Sequence, residues 1–246
     1  IFDGLKDLPP VEPVRPDEEF EYTANDNLDF EIYRDENGVF AVSRDEIFAE
    51  STSIYENISR EFPFLEREDR VPKRMFFSRL FSAMNFTGFY SPYTGESSLN
   101  VDSPACLLPA NIAHELAHQR GIASEQECNF LAIASSTASD SVVYQYSGYL
   151  MGYIHLGNAL YRADRDRWAE VYALLPETVI ADLRYHSAYW DQFEGATATV
   201  SKKIYDTALK SYGQTDGIQS YGTVVDLLVA YYRDTARTNG SEGLTT

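Results

Sequence analysis

The stretch that most constrains this chain is His114-Glu115-Leu116-Ala117-His118, followed by Gln119-Arg120-Gly121 and then Ser124-Glu125-Gln126-Glu127. Residues four apart on a helix project from one face, so His114 and His118 can grip a single Zn²⁺ between them. Glu115, the next residue on, then reaches a water on that metal. The flanks suit a helix. Leu107-Leu108-Pro109 puts proline at a start, where its missing N–H is not needed, and Gly121 suits a stop. Ile112, Ala113, Leu116 and Ala117 give the helix a side to bury. The plainer alternative is a buried helix whose histidines only hydrogen-bond to their neighbours. The helical context that the motif demands favours the metal.

Two histidines leave zinc under-coordinated, because catalytic sites commonly use three protein ligands and an open position. The nearest downstream carboxylates are Glu125 and Glu127. Ser124-Glu125-Gln126-Glu127 has the S-x-x-E form of a capping box, which gives Glu127 an ordinary structural task. Glu125 has no such task, and it stands four residues before Asn129, on the same helix face. A carboxylate there can bind metal while the Asn129 amide holds another ligand in place. Glu125 is thus preferred as third ligand, with Glu127 as the alternative. Only six residues separate His118 from Glu125, so the chain must reverse sharply, and Gly121 permits that. If the turn is too tight, Asp140 or Asp191 remains open as a ligand.

Length and composition set outer limits. At 246 residues the chain can bury a substantial core, and 44% hydrophobic with 14% aromatic residues marks it as globular. The formal net charge of −18 argues against nucleic acid and anionic lipid as partners. No apolar run is long enough for a transmembrane span, and no signal peptide is evident. The first residue is Ile1, so a processed or partial chain is expected. Cys106 and Cys128 form no disulfide framework and read as small buried apolar residues.

In chain order, residues 1–20 carry Pro9, Pro10, Pro13 and Pro16 among acidic residues and read as an extended arm. A single domain over 21–246 follows. Asp35-Glu36-Asn37-Gly38 reads as a turn. Apolar residues near helical spacing over 45–62 end at Pro63. Residues 74–101, rich in aromatics and punctuated by Gly88, Pro92 and Gly95, predict two or three strands. An exposed edge strand before the active helix can bind an extended peptide through its backbone, and an ordinary packed hairpin is the equal alternative. From Pro109 the pattern is helical: 109–120, 124–138, 140–163, 165–174, 177–194, 198–212 and 220–235. The expected fold is α+β and predominantly helical, with a small mixed or antiparallel sheet before the HExxH helix and a helical body over about 124–235.

HELAHQRG, followed by E-x-E-x-N-F-L-A at 125–132, resembles the gluzincin branch of zinc metallopeptidases. In that group a Glu on a later helix completes the site, and an Asp or Asn four residues on supports it. More closely, Pro72-Lys73 through Phe89-Tyr90-x-Pro92-Tyr93-Thr94-Gly95-Glu96 into HELAHQRG resembles a bacterial family catalogued as domain of unknown function 3810. Tyr146-Ser147-Gly148-Tyr149-Leu150 and Tyr205-Asp206 through Ser220-Tyr221 continue the likeness, which covers about 45–235. The resemblance implies a zincin-like domain on the extracellular face of a bacterial membrane, anchored by N-terminal helices that precede this chain. Cys128 departs from it, standing where alanine is expected.

The chemistry expected is zinc-dependent hydrolysis of a peptide bond, one Zn²⁺ per chain, with Glu115 taking the proton from the attacking water. The oxyanion needs a donor. Candidates are His155, Tyr146, His186 and Tyr185, although a lone histidine among Tyr153, Ile154 and Leu156 is more often a core residue. The partner expected is a peptide or protein substrate, or a cell-wall peptide. The alternative is a zinc-binding sensing domain without turnover, which has no use for Glu115.

Overall fold

The computed structural model of the chain describes residues 34–193 and 224–233. The proline-rich arm and the helix expected at 198–212 lie outside them. The first elements are short. Arg34 and Phe40 bridge across the expected turn, where Asp35 Oδ1 accepts from the N–H groups of Asn37 and Val39. The run at 45–62 is not one helix. It divides into α1 (Arg44–Ala49), a 3₁₀ turn (Glu50–Thr52) and α2 (Glu56–Glu61). The reason is local: the Ser51 hydroxyl donates to Phe48 O and the Ser53 hydroxyl to Glu50 O, so side chains compete with the helical ladder.

The sheet has three strands in the order β1-β3-β2: β1 (Lys73–Arg74), β2 (Gly88–Ser91) and β3 (Glu96–Leu99). β2 and β3 form an antiparallel hairpin and β1 joins β3 in parallel, so the sheet is mixed. Between β1 and β2 the sequence expectation of strands needs correction, because Ser78–Ala83 is a helix, α3. Phe77, Leu80, Phe81 and Met84 recur at helical spacing, and Asn85 in a left-handed conformation (φ 61°) stops the run.

The helical body packs around α4 (Leu108–Gln119), α5 (Glu125–Ala138) and α6 (Val142–Ala163). α7 (Arg165–Ala173) and α8 (Glu177–Asp191) follow, and residues 224–233 are again helical. The faces between α4, α5 and α6 are built from small residues, which lets the backbones approach closely. A Cβ on Gly148 would stand 2.7 Å from Ser136 Cβ, so α5 and α6 touch there. Ile112, Ala113, Leu116 and Ala117 are fully buried, as their spacing requires. The protein is α+β and predominantly helical. No helix among the described residues is long and apolar enough to cross a membrane.

Candidate metal centre

α4 turns its histidine face toward the start of α5. Arg120 closes α4, Gly121 takes the left-handed conformation (φ 84°), and Ser124 caps α5 by accepting from Glu127 N–H at 3.4 Å. This reversal brings Glu125 against both imidazoles. His114 Nε2 lies 3.2 Å from Glu125 Oε2, and His118 Nε2 lies 3.5 Å from Glu125 Oε1. Two zinc ligands at about 2.1 Å subtending a tetrahedral angle stand about 3.4 Å apart, so the donor set fits that ion. His114, His118 and Glu125 are the group of this kind found among the described residues.

Each imidazole is held by its other nitrogen. His114 Nδ1 donates to Asn129 Oδ1 at 2.9 Å, and His118 Nδ1 donates to the carbonyl of Ile122 at 2.8 Å. A carbonyl oxygen only accepts, so both Nδ1 atoms carry protons and both Nε2 atoms turn toward Glu125. Burial would raise the Glu125 carboxyl, but hydrogen bonds from the two imidazoles outweigh it and hold the group well below the usual carboxylate range. Burial would lower His118; its contacts with Cys128 and Glu125 prevail and lift it to about 11.

Glu115 sits beside this group, 5% exposed, and its Oε2 has no hydrogen-bond partner. Burial is the main cause that pushes its carboxyl up to about 7, against the pull of His114 and His118. A buried carboxylate oxygen without a partner is costly, and a cation or a water positioned by one relieves that cost. Its other oxygen is fixed by a neighbour that sequence reasoning passed over. A Cβ on Gly88 would meet Glu115 Oε1 at 2.7 Å, so β2 can approach only because residue 88 has no side chain. Gly88→Ala is therefore expected to displace the carboxylate and slow any hydrolysis that depends on it by about 10²-fold, with zinc content near wild type and the thermal midpoint lowered by the overpacking. Parallel measurement of the three quantities checks this.

Two further neighbours were also missed. Tyr90, two residues along β2, stacks on His118 with ring centroids 6.2 Å apart. Cys128 places Sγ 3.3 Å from His118 Nδ1. Both cysteines are buried and unpaired with each other, but Cys128 is more than filler: it shares the Ile122 carbonyl with His118. The sequence signal was its departure from the alanine expected.

The other candidates separate. Glu127 is exposed, and its backbone N–H serves the cap. Asp140 accepts from Asn57 Nδ2, and Asp191 closes α8; the metal-ligand group contains neither. Tyr146 is not available as an oxyanion donor, because its hydroxyl bonds to Asp182, accepts from Arg34, and its ring stacks on Phe40. His186 accepts from Trp190 Nε1 at 3.0 Å. Tyr185 lies half exposed on α8. His155 is different. The antiparallel register of α5 and α6 sets Gly148 at Ser136 and Gly152 at Ile133, and one more turn carries His155 to the level of Asn129. Burial, followed by the nearby charge of His114, lowers His155 to about 4.

The described residues thus define a predominantly helical α+β protein with a His-His-Glu cluster presented by an HExxH helix and the helix after it. The chain belongs to the family described as Protein of unknown function (DUF3810), whose model matches residues 18–229. No curated protein and no solved structure matches it.

Proposed function

We propose that this chain is a zinc-dependent metallopeptidase that binds one Zn²⁺ through His114, His118 and Glu125. The observation that carries the reading is the convergence of two Nε2 atoms and one carboxylate beside a buried carboxylate oxygen that has no partner. Zinc bound there would supply a Lewis acid that polarises the scissile carbonyl and acidifies the attacking water. Glu115 takes the proton of that water as the C–O bond forms, and delivers it to the amide nitrogen as the C–N bond breaks. His155, neutral at pH 7, supplies an N–H to the developing oxyanion. Asn129 and the Ile122 carbonyl hold the two imidazoles in orientation. β2 is an edge strand, with Gly88 beside Glu115 and Tyr90 beside His118, which suits an extended peptide paired along the strand.

Elemental analysis of the wild type beside Glu125→Ala and Glu127→Ala tests the site. One zinc per chain is expected in the wild type and in Glu127→Ala, and at least a hundredfold weaker binding, roughly, in Glu125→Ala. Loss in Glu127→Ala alone would move the third ligand. No zinc in any sample after zinc is added back would sink the reading. A peptide-library assay on zinc-loaded protein then separates a peptidase from a binding domain, which would hold zinc and cleave nothing.

A further inference from the structure

Behind the sheet the surface changes character. In a chain of net charge −18, residues 70–95 hold Arg70, Lys73, Arg74 and Arg79 and no acidic residue. The same stretch exposes Phe76 (91%), Phe77 (64%), Leu80 (57%) and Phe89 (42%). These residues form one face. The rings of Phe76 and Phe77 meet edge to face at 4.9 Å, Leu80 follows one turn along α3, and Phe81 stacks on Phe89 at 6.3 Å. α3 therefore covers the side of the sheet away from α4 with Phe81, and leaves Phe76, Phe77 and Leu80 uncovered. Single exposed apolar residues are ordinary, but a cluster of this kind marks a docking surface.

The charges around the face identify what it suits. Lys73 pairs with Glu96 at 2.7 Å, Arg74 with Asp45 at 2.6 Å and Arg79 with Asp102 at 3.2 Å. The three cationic side chains stay 62%, 43% and 63% exposed. The rim is thus made of opposite charges side by side, unlike the strongly acidic chain around it.

We propose that this face docks on the interface of a zwitterionic phospholipid bilayer. Phe76, Phe77 and Leu80 enter the boundary between headgroups and acyl chains, where aromatic and aliphatic side chains partition favourably. The paired rim charges meet headgroups that themselves carry an amine and a phosphate. A strongly anionic bilayer would repel the chain as a whole. The face ends on β2 at Phe89, which points away from the side where Gly88 and Tyr90 meet α4. This inference is independent of the metal.

Flotation of the full chain with phosphatidylcholine vesicles tests it. The wild type is expected to float, and the Phe76→Ser/Phe77→Ser double variant to partition at least tenfold less, roughly. Leu174→Ser removes a residue that is 74% exposed outside the face, and should float as the wild type does. Thermal midpoints should coincide, since all three residues are exposed, and chelator should leave flotation unchanged. A wild type that does not float, or a double variant that floats equally, overturns the proposal. A wild-type dimer that the double variant dissociates, with no flotation, would overturn it in favour of a second copy.

Discussion

On the proposed reading, Glu115→Gln is expected to leave zinc content unchanged and to slow peptide hydrolysis by about 10²–10⁴-fold, the range typical of a lost general base. The substitution keeps the shape of the side chain, so the approach of Gly88 to Oε1 persists. It removes the ability to take a proton. Since Glu115 is not among the three grouped ligands, its loss should leave metal uptake intact. The dependence on pH follows from the same residue. Burial raises the carboxyl to about 7, and only the deprotonated form can act as base, so the wild-type rate should rise with pH through a midpoint at or below about 7. A cation nearby favours the charged form and moves the midpoint down, not up. Rates of both proteins over pH 4–9 on one peptide, with zinc content measured alongside, check the prediction. Equal rates would remove Glu115 from the mechanism.

Asp69→Ala is expected to destabilise the protein by about 3–5 kcal/mol, the cost of leaving a buried charge without its partner. Arg120, immediately after α4, is bound by Asp69 through both terminal guanidinium nitrogens at 2.6 and 3.0 Å, and the two side chains are only 2% and 3% exposed. Its Nε donates to Leu65 O, and its guanidinium lies 3.7 Å over the Tyr55 ring. Tyr55 in turn donates to the carbonyl of Ala113, within α4. Removing the carboxylate strands the cation in this enclosure. Glu96→Ala is the contrast, because its pair with Lys73 is solvent-exposed and screened by water. Thermal melts of both variants should differ by roughly 10 °C, with Asp69→Ala lower. Equal melts would mean that Arg120 finds another partner or reaches water.

Arg120 also shows where reading the sequence stopped. As one residue of HELAHQRG it had no assigned task, because its partner lies 51 positions away. The 74–101 stretch reads as strands because its aromatic residues and the punctuation at Gly88, Pro92 and Gly95 outweigh a helical spacing only six residues long. The split of the 45–62 run came from two serines whose hydroxyls bond locally, a signal present in the sequence but overridden by apolar periodicity.

By itself, the sequence determined the described helices from α4 to α8, the bounds of α4 to within a residue, the left-handed turn at Gly121 and the Ser124 cap, because each is set by contacts within about four residues. Glu127 is exposed with its backbone N–H on the Ser124 hydroxyl, while Glu125 faces the two imidazoles. Tertiary structure alone decided that Gly88 presses on Glu115, that Tyr90 and Cys128 flank His118, that the Tyr146 hydroxyl bonds to Asp182, and that Phe76 and Phe77 stay uncovered. Those relations join residues that chain connectivity leaves far apart, and only close packing of distant elements brings them within a few ångströms of one another.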